Sequence, residues 1–454
     1  MKRIFGKKAA AAAIAVLISV SLVCTGCSDG GSSGGDDSGG TSGGETGGGT
    51  EKPTIADGTY CDGMLTVENG IVTKCDPSAT GTIEIPEGVT TISESAFKGC
   101  TSMESVIIPE GVKNIYRGAF KDCSSLTSVT IPASVTLIGD FRTGGSDLKI
   151  PGDVFVKCSK LKITVDENNT VYSSDNGILY NKNKTKLLAY PSASGSVTIP
   201  NSVTEIGEYA FQWCESLTDI TIPDTVTKIG QGAFSRCGLT SITIPNSVTE
   251  ISDNTFSICE SLKSVTIPDS VTEIGYNAFL SCESLTSITI PDSVTKIGKS
   301  AFSSCDSLTS ITIPNSVTEI GDYAFCYCKS LKSVTISGSV KKIANSAFSA
   351  CDALTNVTIC DGVTEIENIA FEGCKSLTSV TIPASVTKIG GYAFWNCTSL
   401  TSVTILGNTK EIDDKVFTSC RKLKNIYVID AAEKAKWTEE KIGESGVDVK
   451  IIGK

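Results

Sequence analysis

The chain has 454 residues, a formal net charge of −11 and no histidine. That acidity speaks against nucleic acid as a partner, because phosphate backbones are bound by basic faces. Without histidine the chain lacks the usual general base, the Ser-His and Cys-His nucleophile pairs and the commonest metal ligand. No Gly-rich phosphate loop or metal motif stands out either. No catalytic residue, metal site or cofactor is therefore assigned, and the chain reads as a non-enzyme.

Residues 1–27 have the layout of an export signal. Lys2, Arg3, Lys7 and Lys8 precede an apolar run over residues 9–23, shorter than the roughly 20 residues a transmembrane helix needs. The run ends Leu22-Val23-Cys24-Thr25-Gly26-Cys27, which resembles a bacterial lipobox with Cys24 where leucine is usual. The resemblance implies lipidation at Cys27, export, and anchoring to a bacterial membrane through the lipid alone. Residues 28–53 are almost wholly small and polar and read as a flexible tether. Residues 54–82 are expected to form an N-terminal cap. There Cys61 and Cys75 flank the turn signal Asn69-Gly70 and form a candidate disulfide.

From residue 83 to 428 the chain repeats itself. Cys259 begins CESLKSVTIPDSVTEIGYNAFLS, Cys282 begins CESLTSITIPDSVTKIGKSAFSS, and Cys305 begins CDSLTSITIPNSVTEIGDYAFCY; each copy is 23 residues long. Phe-x-x-Cys recurs thirteen times, from Phe97/Cys100 to Phe417/Cys420, and one residue is missing after Cys237, at Gly238. In the copy from Cys282, Leu285, Ile288 and Ile290 alternate as in a short strand, which Pro291 ends. Val294 and Ile297 mark a second extended piece, and Ala301 and Phe302 point inward from a turn or 3-10 segment. One such unit cannot bury its apolar face alone, but stacked units can. The predicted fold is a mostly β leucine-rich-repeat solenoid with a short strand and a turn on each rung.

The order Leu-x-x-Leu-x-Leu-Pro, Leu-x-x-Ile-Gly, Ala-Phe-x-x-Cys resembles the BspA-like, or treponemal-type, leucine-rich repeat. The resemblance implies a bacterial cell-surface or secreted protein engaged in adhesion or host contact. The spacing of ladder cysteines jumps to 35 after Cys123 and to 56 after Cys158, so an insert is expected at about 140–195, with hairpins turning at Asn176-Gly177 and near 181–184. It reads as a structural insert or a binding protrusion. Residues 429–454 are expected to close the C-terminal end with a helix and a last strand.

Of 19 cysteines, thirteen form the ladder beside phenylalanine, where a small buried thiol fits; these are expected to be free. Outward strand positions are nearly all hydroxyls: Ser241, Thr243, Ser264, Thr266, Ser287, Thr289, Ser310, Thr312, Ser333 and Thr335, and on to Ser379, Thr381, Ser402 and Thr404. This surface, expected on the concave side, is the candidate binding face for a host extracellular protein, a bacterial surface protein or a glycan. A row running Glu205, Lys228, Glu250, Glu273, Lys296, Glu319, Lys342, Glu365, Lys388, Glu411 mostly alternates in sign and reads as stabilising. The expected role is a surface lipoprotein for protein binding or adhesion; the alternative is a passive structural component of the envelope.

Overall fold

The computed structural model describes residues 55–139 and 151–452. The lipobox and Cys27 lie outside the described residues, as does part of the first spacing jump.

Each rung contributes two short strands, and each strand pairs in parallel with its counterpart one repeat away. Ser287–Thr289 pairs with Ser310–Thr312, and Lys296–Ile297 pairs with Glu319–Ile320. The alternation read from the sequence sets the faces. In Ser287–Thr289 the isoleucine is buried and the two hydroxyl residues are exposed. After the second strand comes a turn rather than a 3-10 segment; Pro151–Asp153 is the single 3-10 element among the described residues.

The turn places alanine and phenylalanine in the core. The rings stack continuously from Phe211 to Phe417, with centroids 5.2–5.6 Å apart. Phe302 is fully buried. Truncating such a ring to alanine costs about 3–5 kcal/mol. The turns carry a third set of inter-rung bonds, in which Phe302 N donates to Ala324 O at 2.8 Å. Serines and threonines outside the strands lash rungs together as well: Ser293 Oγ donates to Val271 O at 2.6 Å and Thr295 Oγ1 to Thr272 O at 3.3 Å. The missing residue after Cys237 is accommodated by Gly238, where a Cβ would run into the carbonyl of Glu215.

The described part of the long-spacing region is a structural insert whose hairpins continue the sheet rather than a protrusion. Tyr172–Asp175, Ile178–Asn181 and Lys186–Ala189 form an antiparallel meander whose last strand pairs in parallel with Glu205–Ile206. The N-terminal cap is built the same way: Gly58–Tyr60, Leu65–Glu68 and Ile71–Cys75 form a meander feeding in parallel into Thr91–Ile92. The correspondence reaches individual irregularities. The ladder slips between Thr66 and Val67 in one and between Leu179 and Tyr180 in the other. It slips again at Gly81/Thr82 and Gly195/Ser196, with both glycines at φ 63°. The sequences agree there too: Pro77-Ser78-Ala79-Thr80-Gly81-Thr82-Ile83 against Pro191-Ser192-Ala193-Ser194-Gly195-Ser196-Val197. The interruption is a second copy of the cap.

Its surroundings differ from the first. Thr66, Thr73 and Lys74 on the first cap correspond to Leu179, Leu188 and Ala189 on the second, and these three are buried in an N-terminal core that begins at Leu65. Tyr180 and Leu187, from the same strands, belong to a separate core running to Ile442. The internal cap is therefore a septum with an apolar residue set on each side. Tyr190, 5.9 Å from Phe211, starts the second aromatic stack, and Trp437, 5.8 Å from Phe417, ends it.

At the C-terminal end two helices, Ala431–Lys436 and Glu439–Ile442, are capped by the side chains of Asp430 and Thr438. The last strand, Asp448–Ile451, pairs with Asn425–Val428 in the 23-residue register of the solenoid. Helix formation thus replaces the second strand and turn of a final rung. Buried Glu433 holds the junction, accepting from Thr409 N at 3.1 Å, Trp437 Nε1 at 3.2 Å and Lys436 Nζ at 2.9 Å.

Candidate binding surfaces

Three surfaces run along the repeats. The first is the hydroxyl sheet expected from the sequence. Ser241, Thr243, Ser264, Thr266, Ser287, Thr289, Ser310, Thr312, Ser333 and Thr335 are all exposed and in register. A cavity of about 560 Å³ lies over its N-terminal part, lined by Asp219, Thr221, Ser241, Thr243, Asn246 and Thr266. Its chemistry is nearly the same on every rung.

The second is the charged row. Lys296 Nζ lies 3.1 Å from Glu273, Lys342 Nζ 3.3 Å from Glu365, and Lys388 Nζ 3.3 Å from Glu411. The Glu273 carboxylate holds Lys296 above the usual lysine range. A cleft of about 720 Å³ beside this row is lined by groups of both signs, among them Glu273, Lys296, Glu319 and Lys342. Each charge has an opposite neighbour, so the row acts first within the protein, at a few tenths of a kcal/mol per exposed pair.

The third is the turn face, which the sequence reading passed over. Two residues per turn adopt positive φ: the one before alanine and the one before cysteine, as at Ser300 and Ser304 with φ 55° and 59°. Tyr323, Tyr327, Tyr392 and Lys415 at these positions are exposed whereas Asn277 and Ser346 are buried, and the positions hold unlike residues from rung to rung. The first runs Ser300, Tyr323, Ser346, Ile369, Tyr392, Lys415; the second runs Ser304, Tyr327, Ala350, Gly373, Asn396, Ser419. Between them, after the phenylalanine, comes a third column: Ser303, Cys326, Ser349, Glu372, Trp395, Thr418. The columns are held in step by the backbone, with Tyr327 N donating to Ser349 O at 2.8 Å and Gly373 N to Trp395 O at 2.7 Å. Every exposed aromatic of the described residues lies on this face: Tyr276, Tyr323, Tyr327, Tyr392 and Trp395. Farther back, Trp213 is sandwiched between Lys157 Nζ and the Arg236 guanidinium, 3.8 and 4.2 Å from the ring centroid.

The repeat order, the two-strand rung and the stacked Phe-x-x-Cys turns together define the family. This chain belongs to the BspA-type leucine-rich repeat proteins. The model of the BspA type leucine rich repeat region matches residues 75–192, 188–309 and 295–424. Among solved structures, a leucine-rich repeat protein from Bacteroides ovatus is 28% identical, over 88% of this chain and 99% of its own, with a TM-score of 0.59. A leucine rich cell surface protein from Faecalibacterium prausnitzii is 29% identical, over 87% of this chain and 100% of its own, with a TM-score of 0.45. No curated protein shows significant sequence similarity to the chain.

In this BspA-type solenoid the ladder thiols are free and buried. Burial pushes Cys259 up to about 12 and Cys326 up to about 11, and raises Cys282 and Cys305 well above the usual thiol range. Cys61 and Cys75, the candidate disulfide pair, stand as separate thiols in the structure, the first half-buried and the second buried. Cys61 Sγ donates to Glu84 O at 3.1 Å, whereas Cys75 is buried in the core beside Cys100. The turn at Asn69-Gly70 does pair the two flanking strands, but Cys75 lies opposite Leu65, and Cys61 sits in the preceding turn. Among the described residues no cluster of three His, Cys, Asp or Glu side chains could hold a metal ion, and no helix is long and apolar enough to cross a membrane.

Proposed function

We propose that this protein is a non-enzymatic binding protein, exported and lipid-anchored through Cys27 to a bacterial membrane, which mediates adhesion or protein binding at the cell surface. The partner is a host extracellular protein, a protein of another bacterial surface, or a glycan. The observation that carries this reading is the division of labour within a rung. Core and sheet positions repeat almost unchanged, while the three turn columns differ from rung to rung and carry four of the five exposed aromatics, Tyr323, Tyr327, Tyr392 and Trp395. Aromatic residues are enriched in protein interfaces and at their energetic hot spots. A passive rod needs no such variation. The uniform hydroxyl sheet suits a shallow secondary contact with an extended partner, and the turn face suits discrimination.

The test is capture of matrix and salivary proteins, and of glycans, on residues 52–454. Binding lost on substituting turn-face aromatics supports the reading. Binding that survives joint substitution of Tyr276, Tyr323, Tyr327, Tyr392 and Trp395, or no binding beyond that of an unrelated acidic protein, overturns it. Cys27→Ala should move the full chain from the detergent phase to the aqueous phase; unchanged partitioning removes the lipid anchor.

A further inference from the structure

Two aromatic rungs frame two rungs without aromatics in these columns, near the C-terminal end of the turn face. Tyr323 and Tyr327 stand on one rung, and Tyr392 and Trp395 three rungs on, about 14 Å away at strand spacing. Tyr327 is 49% exposed and Trp395 41%, and the Trp395 ring meets that of Tyr392 edge-on, with centroids 5.9 Å apart. Of the two rungs between, the first holds Ser346 and Ser349, both buried, and Ala350, and the second holds half-buried Ile369 and Glu372 and then Gly373. The result is a trough with aromatic walls and a low floor.

The floor carries one charge. Glu372 stands on the rung next to Trp395, close enough to Tyr327 on the other side to bear on its phenol. Ser349 Oγ donates to it from the neighbouring rung and fixes its direction. Among the described residues it has no ion-pair partner. The nearby lysines are committed elsewhere: Lys329 to Asp306 at 2.7 Å and Lys375 to Asp352 at 3.0 Å. Asp322 and Asp413 lie around the same rungs, in a chain already at −11, while Asp414 is paired with Lys441 at 2.6 Å.

We infer that this trough binds an extended, arginine-bearing segment of a partner polypeptide, with one guanidinium paired to Glu372 and stacked on Trp395. A guanidinium is planar, donates in a fork that matches a carboxylate and stacks on aromatic faces, which an ammonium does less well. About four residues of extended chain span the distance between the aromatic rungs. The inference deepens the binding role proposed above and rests on it.

The experiment uses residues 52–454 and labelled short peptides that alternate glycine with arginine, lysine or glutamate, followed by fluorescence anisotropy at physiological salt. The arginine peptide should bind best and the glutamate peptide not at all. Glu372→Gln and Trp395→Ala should each weaken arginine-peptide binding about tenfold or more. Asp292→Asn, an exposed acid away from the trough, should leave it unchanged, and thermal melts of all variants should coincide. Equal binding of the lysine peptide, equal loss from Asp292→Asn, or no loss from the two trough variants overturns the inference. Capture of a host protein that survives both trough variants would remove the trough and leave the broader binding role intact. Peptide binding without any partner capture would do the reverse.

Discussion

Cys282 donates its thiol proton to the carbonyl of Phe256, 3.2 Å away on the preceding rung. The same bond recurs along the solenoid, from Cys123 to Phe97 at 3.0 Å through Cys420 to Phe394 at 3.1 Å. Each phenylalanine carbonyl also accepts from the backbone of its own rung, as Cys259 N does to Phe256 O at 3.2 Å. The ladder thiol therefore supplies a second donor to a buried carbonyl, and does so with a side chain small enough to sit beside a stacked ring. Cys282→Ala should cost about 1–2 kcal/mol through the lost bond and the space left behind. Cys282→Ser, which keeps a donor, should cost less. Denaturant titration of the two variants checks this, and the reverse order would mean that the thiol contributes by packing alone.

The raised thiols make stability depend on pH on the alkaline side. A cysteine whose folded value lies above its unfolded value contributes fully below the unfolded value, and that contribution is lost as pH rises through the folded value. With Cys259 at about 12, Cys326 at about 11 and several others higher, the loss begins near the ordinary thiol value of about 9. Each affected thiol adds about 1.4 kcal/mol per pH unit to the slope. Guanidinium midpoints measured in reductant should be flat from pH 7 to about 8.5 and fall steeply by about 10. A flat profile to pH 10 would show that the thiols ionise without penalty.

Lys415 is exposed and held at φ 62°. Left-handed backbone costs a side-chain-bearing residue about 1 kcal/mol, and two other rungs carry glycine in this column, Gly118 and Gly232. Lys415→Gly should therefore raise stability by about 0.5–1 kcal/mol, and Lys415→Val should lower it by about 1 kcal/mol or more. Thermal melts decide; a destabilising glycine would mean that the side chain contributes more than its backbone strain removes.

The internal cap should let the second core fold alone. Residues 166–454 would expose Leu179, Leu188 and Ala189, which the first core covers. Replacing them with their counterparts from the first cap, as Leu179→Thr, Leu188→Thr and Ala189→Lys, should give a monomeric fragment with a cooperative melt. A fragment starting at Gly195 lacks the meander and should aggregate. Equal behaviour of the two fragments would deny the septum its capping role.

Much of this was legible in the sequence, because a period of 23 with fixed apolar positions leaves few ways to bury Leu285, Ile288, Val294 and Phe302 together. The C-terminal cap was equally open to reading, since Asp430 and Thr438 are ordinary helix N-caps. Other features carried no such signal. The left-handed positions are filled by Ser300, Tyr323, Ile369 and Lys415 as readily as by glycine, so residue type does not mark them. The rungs' own backbone bonds impose the conformation, and with it the outward face that gathers the aromatics. The second cap was detectable through Pro191-Ser192-Ala193-Ser194-Gly195, but its septum role was not, because its apolar outer face reads as ordinary core. The register that brings Leu65, not Cys61, opposite Cys75 is likewise not marked by the turn signal at Asn69-Gly70.

Near-identity of the rungs also bears on how this protein changes over generations. Repeats this alike invite unequal exchange between copies in the gene, which adds or deletes whole rungs in frame. The sheets, the phenylalanine stack and the thiol ladder accept such a step because each rung presents the same edge to its neighbours. The turn columns do not come through unaltered. Inserting one rung between Tyr327 and Trp395 would widen the trough by about 4.8 Å, and deleting one would narrow it by as much. A single recombination can thus reset the length of segment the surface accommodates while the core stays in register.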